Sequence, residues 1–117
     1  MAVIGVALAQ PEASPQAPEL SPTLTGAATG LATQRALIDK FCVTCHNARL
    51  KTGGLLLDEL DLARLGQHAE IGETVVRKLR AGLMPPTGMP RPDATTMESL
   101  IRWMESELDR SSVTHLP

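Results

Sequence analysis

Residues 42–46 read Cys42-Val43-Thr44-Cys45-His46. Two thiols flank a two-residue spacer and an imidazole follows the second directly, the C-x-x-C-H pattern by which a c-type haem is attached. The chemistry asks for these residue types at this spacing. Two thiols must reach the two vinyl groups on one edge of a porphyrin, and the adjacent imidazole must swing under the ring to ligate iron.

Two other uses of such a cysteine pair compete. A thioredoxin-like dithiol sits in a βαβ setting, and no strand pattern precedes Cys42. A zinc site needs further Cys or His ligands. Both cysteines of the chain lie inside the motif, and its histidines are His46, His68 and His115, at spacings unlike a zinc module. Haem attachment also accounts for the histidine next to Cys45.

The rest of the composition fits a wrapper around such a group. At 117 residues the chain makes one small domain. Small domains bury a modest share of their surface and generally need a staple. Apolar residues make up 43%, yet Phe41 and Trp103 are the only aromatics, so a flat apolar cofactor would fill the space that rings usually occupy. A formal charge of −2 argues against bulk nucleic-acid binding. No stretch reaches the roughly 18 apolar residues that span a bilayer.

Residues 1–9, MAVIGVALA, are apolar and close on the small-x-small Ala7-Leu8-Ala9, the form of a secretory cleavage site, though no basic n-region precedes them. They are read as the remnant of an export signal or an anchor. Residues 10–30 hold Pro11, Pro15, Pro18 and Pro22 among Ala, Ser, Thr and Gly, and read as a flexible tether. The folded domain is expected over 31–117.

Within it, Leu31 to Cys45 reads as a helix running into the motif, with Leu37, Ile38, Phe41, Cys42 and Cys45 on one face and Phe41 packing the first helix onto the last. Asn47 to Gly54 is a turn-rich loop. A backbone carbonyl around Thr52 to Leu55 is expected to accept the second ring N–H of His46, as ligating histidines require. Leu55-Leu56-Leu57 is expected to line the haem. Asp58 is the candidate cap of a short helix through Leu65, with Gly66 past its end and Leu60, Leu62 and Leu65 in the core. Glu70 to Ala81 repeats Ile71, Val75 and Leu79 at helical spacing, with Glu73 placed to pair with Arg77 and Gly82 as the stop. Asp93 caps a last helix to about Arg110, whose stripe is Met97, Leu100, Ile101, Met104 and Leu108, with Trp103 beside it and Glu98 paired to Arg102.

Between these helices, residues 82–92 read GLMPPTGMPRP. Four prolines and two glycines in eleven residues make a rigid, non-helical loop. A methionine on a helix is usually gap-filler, but one held in a braced loop can present its sulfur to iron. Met84 is the first candidate for the second axial ligand, and Met89, also followed by proline, is its rival. Met97 and Met104 read as core, and neither His68 nor His115 has a supporting context. An iron left with His46 alone would instead suit a haem sensor or a peroxidase-like protein. Arg77, Lys78, Arg80 and Arg91, with Arg49 and Lys51, could pair with haem propionates or steer an acidic partner; for Lys78 and Arg80 a solvated helix face is the plainer reading.

The order helix, C-x-x-C-H, leucine-rich loop, helix, Met-Pro loop, terminal helix resembles class I cytochromes c. The stretches FCVTCHNARLKTGGLLLDELDL and VVRKLRAGLMPP and the helix from PRPD to ESELDR look more specifically like the cytochrome c domain of planctomycete and acidobacterial type. The resemblance covers about residues 33–110. It implies an all-α, class I cytochrome c fold of three to four helices around one covalently bound haem c, with the first and last helices crossing. Cys42 and Cys45 would form the thioethers, His46 and Met84 would ligate iron, and the haem would be attached on the far side of the cytoplasmic membrane. It further implies a single-electron carrier rather than an enzyme, exported to the periplasmic side. Its partners would be a redox protein or a respiratory or photosynthetic membrane complex, with the amino terminus a candidate membrane tether. Relatives often continue into further domains, so an electron-relay domain of a larger exported oxidoreductase is the alternative. The chain departs from many class I members in having no proline between His46 and Met84, so the histidine's carbonyl partner must come from another residue type.

Overall fold

The computed structural model describes Gly5, Ala9, Ser14 and residues 22–114, without the side chains of 22–29. The readings of 1–9, of the tether ahead of residue 22 and of His115 otherwise lie outside the described residues. The described chain is all-α: α1 spans Pro22–Phe41, α2 Ala69–Arg80 and α3 Ala94–Thr114, with short 3-10 segments at Thr52–Gly54 and Leu62–His68. None of these helices is long and apolar enough to cross a membrane.

α1 departs from the expected boundaries at both ends. It begins at Pro22 rather than Leu31, within the stretch read as tether. Proline at the first helical position costs nothing, because its missing N–H would have no intrahelical partner there. It ends at Phe41, so the motif follows the helix instead of completing it. The amides of Cys42 and Val43 both reach the Ile38 carbonyl, at 2.9 and 3.0 Å, the second an i→i−5 bond that closes the helix with a wider final turn. The Asn47 side-chain amide then takes the Val43 carbonyl at 2.6 Å, satisfying an acceptor that a helix end leaves bare.

The core joins all these elements. Ile38 of α1 and Met104 of α3 are wholly buried, with Leu65 between the two 3-10 ends at 1% exposure. Val75, Val76 and Leu79 of α2 pack with Leu100, Ile101 and Leu108 of α3, and the expected Leu60, Leu62 and Leu65 are buried with them. Each such side chain contributes about 1.5–3 kcal/mol by leaving water. Phe41 does not join α1 to α3 as expected; it is half-buried outside this cluster. That junction is made by Ile38 and by Trp103, whose indole stands 3.5 Å from where a β-carbon on Gly30 would lie.

Two glycines permit the closest approaches. A β-carbon on Gly66 would fall 1.9 Å from Ser111 Oγ, and one on Gly72 3.0 Å from Leu108 Cδ2. Gly72, a weakness of α2 by propensity alone, is the position that lets α2 settle onto α3. Gly66 lies inside the 3-10 segment rather than past a helix end.

Capping also differs from expectation at one end. Asp61, not Asp58, caps the segment Leu62–His68, accepting from the Ala63 amide at 3.1 Å. Asp58 is occupied elsewhere, accepting from the Ala48 amide at 3.0 Å and so tying 58 back to the loop after the motif. Asp93 accepts from Thr96 N at 2.9 Å and Thr96 Oγ at 2.8 Å at the start of α3, as its sequence position indicates. Arg77 turns to Thr74 Oγ1 rather than to Glu73. The Glu98–Arg102 pair forms at 2.9 Å, and Arg80 extends it into a network by bridging Glu98 at 3.1 Å and Glu105 at 2.8 Å.

Two outcomes follow for stability. Asp93, Glu98 and Glu105 all have carboxyls held below the ordinary range, Asp93 by the Thr96 amide, Glu98 by Arg102 and then Arg80, Glu105 by Arg80. A depressed folded pKa adds stability above the unfolded value, so stability is level near neutrality and falls as pH drops below roughly 4. Glu105→Gln is expected to flatten that acid slope in a melting series against pH. Gly66→Ala is expected to cost about 1–3 kcal/mol in denaturant unfolding, because the new β-carbon must displace Ser111.

Candidate functional site

The motif is folded by its own turn chemistry. Beyond α1 the amides of Cys45 and His46 return to the Cys42 carbonyl at 3.2 and 2.9 Å. Asn47 works in both directions. Its Nδ2 holds Val43 O, and its Oδ1 accepts from the Arg49 amide at 3.0 Å and the Leu50 amide at 2.9 Å. One side chain therefore pins the turn before His46 and the turn after it.

The loop returns to the motif through two backbone bonds, Thr52 N to Cys45 O at 3.3 Å and Leu57 N to His46 O at 2.9 Å. In between, His46 Nδ1 lies 2.9 Å from the Thr52 carbonyl oxygen, inside the stretch where the sequence places that partner. A carbonyl can only accept, so Nδ1 carries a proton and, in the neutral ring, Nε2 is the nitrogen with the free lone pair. On the α1 side, the Arg35 guanidinium donates to Leu57 O at 2.8 Å and Leu60 O at 3.0 Å, holding the leucine-rich segment against the helix.

On the far side, α2 ends on Gly82 at φ 69°. Gly82 N meets Leu79 O at 3.1 Å and Leu83 N meets Lys78 O at 3.0 Å, the paired bonds of a Schellman stop. The positive φ that glycine accepts freely reverses the chain and carries Met84 back toward the motif.

Between the two sides lies a cavity of about 550 Å³, within the range of small-molecule and cofactor sites. Cys42, Cys45, His46, Met84 and Met89 all line it, so the structure brings together every site residue the sequence singles out. Met84 is half-buried, whereas Met89 is 45% exposed. Leu55 and Leu57 contribute as expected, and Leu56 does not. Phe41, Val75, Leu79 and Pro85 complete the apolar wall. Met97 and Met104 pack on or in the core, and His68 is an exposed residue outside the lining.

The site's charges are one-sided. Lys40 and Lys78 line the cavity, and among the described residues no Asp or Glu does. Lys40 Nζ stands 5.1 Å from the centroid of the Phe41 ring, a cation–π distance. Both cysteines are free thiols and half-buried. Burial pushes the Cys42 thiol up to about 11 against the opposing charge of Arg35, so it remains protonated at neutral pH. Among the described residues no group of three or more His, Cys, Asp or Glu side chains is placed to hold a bare metal ion.

Several contributors escape the sequence. Lys78 is exposed, in keeping with its reading as a solvated residue, yet it also lines the cavity. Arg80, read the same way, is an interhelical bridge. Arg91 donates to the Met84 carbonyl at 3.2 Å. Asn47 carried one signal that could have been used: asparagine just past a helix end favours side-chain bonds to the backbone. Comparison of the chain with protein-family models, curated proteins and solved structures finds no match.

Asn47→Ala is expected to lower stability by about 1–2 kcal/mol and Asn47→Asp by less, since aspartate keeps the acceptor for Arg49 and Leu50. Denaturant unfolding of the two variants side by side checks the order.

Proposed function

We propose that the chain is a mono-haem c-type cytochrome that carries single electrons, with haem c bound in the cavity between the motif and the Met84 loop. The observation that carries the reading is convergence. Cys42, Cys45, His46 and Met84 come from two segments far apart in sequence, yet all four line one apolar cavity.

The residues suit that group on their own chemistry. Two half-buried free thiols are available for the vinyl groups. His46, with Nδ1 bonded to Thr52 O, is held in the tautomer that leaves Nε2 able to ligate. Met84 would supply the second axial ligand, its thioether carried on a loop that prolines stiffen. A zinc reading finds no complete ligand set among the described residues. When bound, the haem supplies a reversible ferrous–ferric couple.

The protein's part is to tune and shield that couple. A thioether opposite an imidazole raises the reduction potential. Leu55, Leu57, Val75 and Leu79 exclude water from the site, which disfavours the extra charge of the ferric form. His46 and Met84 would both be engaged in holding the haem, and among the described lining residues Lys40, His46 and Lys78 form no acid–base pair around a reacting atom. The partners proposed are an exported redox protein or a membrane complex on the same side, approached by the basic mouth.

Made alongside haem-attachment machinery, the protein is expected to carry one haem that survives denaturing electrophoresis. Its ferric spectrum should show the long-wavelength charge-transfer band of a thioether–iron bond. Met84→Ala should abolish that band and lower the potential by on the order of 100 mV, and Met89→Ala should leave both in place. Protein that emerges without covalent haem sinks the proposal.

A further inference from the structure

The loop that carries Met84 is stiffened by its prolines but makes few backbone hydrogen bonds of its own. Pro85, Pro86, Pro90 and Pro92 have no N–H to donate. Among the described backbone bonds, the one internal to the loop runs from Met89 N to Pro86 O at 3.0 Å. The anchors lie outside it, the Gly82 stop before and the Asp93 cap after. Met84 itself receives one cross-tie: Arg91 Nη2 donates to its carbonyl oxygen at 3.2 Å, closing a ring across seven residues.

We infer that Arg91 is a positioning residue for the Met84 thioether, setting how firmly that ligand holds its place. The inference rests on the proposed reading of Met84 as an axial ligand. Arginine suits the task because its guanidinium stays charged at every accessible pH and presents donors in a fixed plane. A lysine would offer a mobile, strongly hydrated point charge in its place. Among the described residues Arg91 makes no ion pair, so this donor is not drawn off to a carboxylate.

A ligand held less firmly is more easily displaced. An external ligand such as imidazole must push Met84 aside, so its apparent affinity reports how tightly the loop is set. A single hydrogen bond of ordinary net worth corresponds to a change of about threefold to tenfold.

The test titrates imidazole into the ferric holoprotein and four variants. Arg91→Ala is expected to bind imidazole about threefold to tenfold more tightly, while still showing the thioether–iron band when imidazole is absent. Arg91→Lys should fall between it and the unaltered protein. Arg64→Ala, which removes an exposed arginine paired with Asp61, should change nothing. Met84→Ala marks the fully open limit. Arg91→Ala binding like the unaltered protein, or Arg64→Ala rising equally, overturns the role of Arg91 while leaving Met84 as ligand. Met84→Ala binding no more tightly than the unaltered protein overturns the axial reading itself, and this inference with it.

Discussion

The hydrogen bond from His46 Nδ1 to the Thr52 carbonyl is the constraint on which the site depends. An imidazole has two useful nitrogens and a ring free to spin about its stem. Fixing one nitrogen decides the tautomer and limits the ring plane. For Thr52 to be there, the chain must double back within six residues, and this explains the crowding of turn devices after the motif. Lys51 and both glycines adopt left-handed φ. Asn47 and Asp58 bind amides that the turn would otherwise leave bare. The carbonyl that fixes the ring thus belongs to a threonine held between turns.

The opposite wall is set by helix packing rather than by turns. α2 reaches α3 closely because Gly72 has no side chain to hold it off, and Arg80 bridges Glu98 and Glu105 at its end. These ions are partly solvated, so the pairs add little stability singly. Their geometric effect is the more important one, since Arg80 stands directly before the Gly82 reversal that delivers Met84.

What could be read from the sequence follows from how local each cause is. α2, the start and stripe of α3, Asp93 as a cap, the Gly82 stop and the Glu98–Arg102 pair are consequences of spacing within a few residues and stand as expected, while α3 runs past Arg110 to Thr114. The five candidate ligand residues were legible for the same reason: each sits in a short motif. The errors involve competition between distant groups. Asp58 has the chemistry of a cap, but the Ala48 amide claims it and Asp61 takes the role. Phe41 lies on the stripe of α1, yet the helix stops there and the ring faces the cavity wall. Arg80, Lys78 and Arg91 look alike as surface cations. Only the folded chain separates an interhelical bridge, a cavity residue and a loop tie.

On the proposed haem reading, the lining also ranks the influences on the iron. Axial chemistry comes first, because the choice of ligand moves haem potentials across several hundred millivolts. Protein charge comes next: among the described residues no Asp or Glu lines the cavity, while Lys40 and Lys78 do and would disfavour the ferric form. Both lysines are exposed, so salt screens their effect within about 10 Å at ordinary ionic strength. Their larger consequence is then outside the protein. On the same reading, a basic rim on a chain of net charge −2 would place its positive potential around the cavity and orient that face toward an acidic partner even though the overall charge would not attract one.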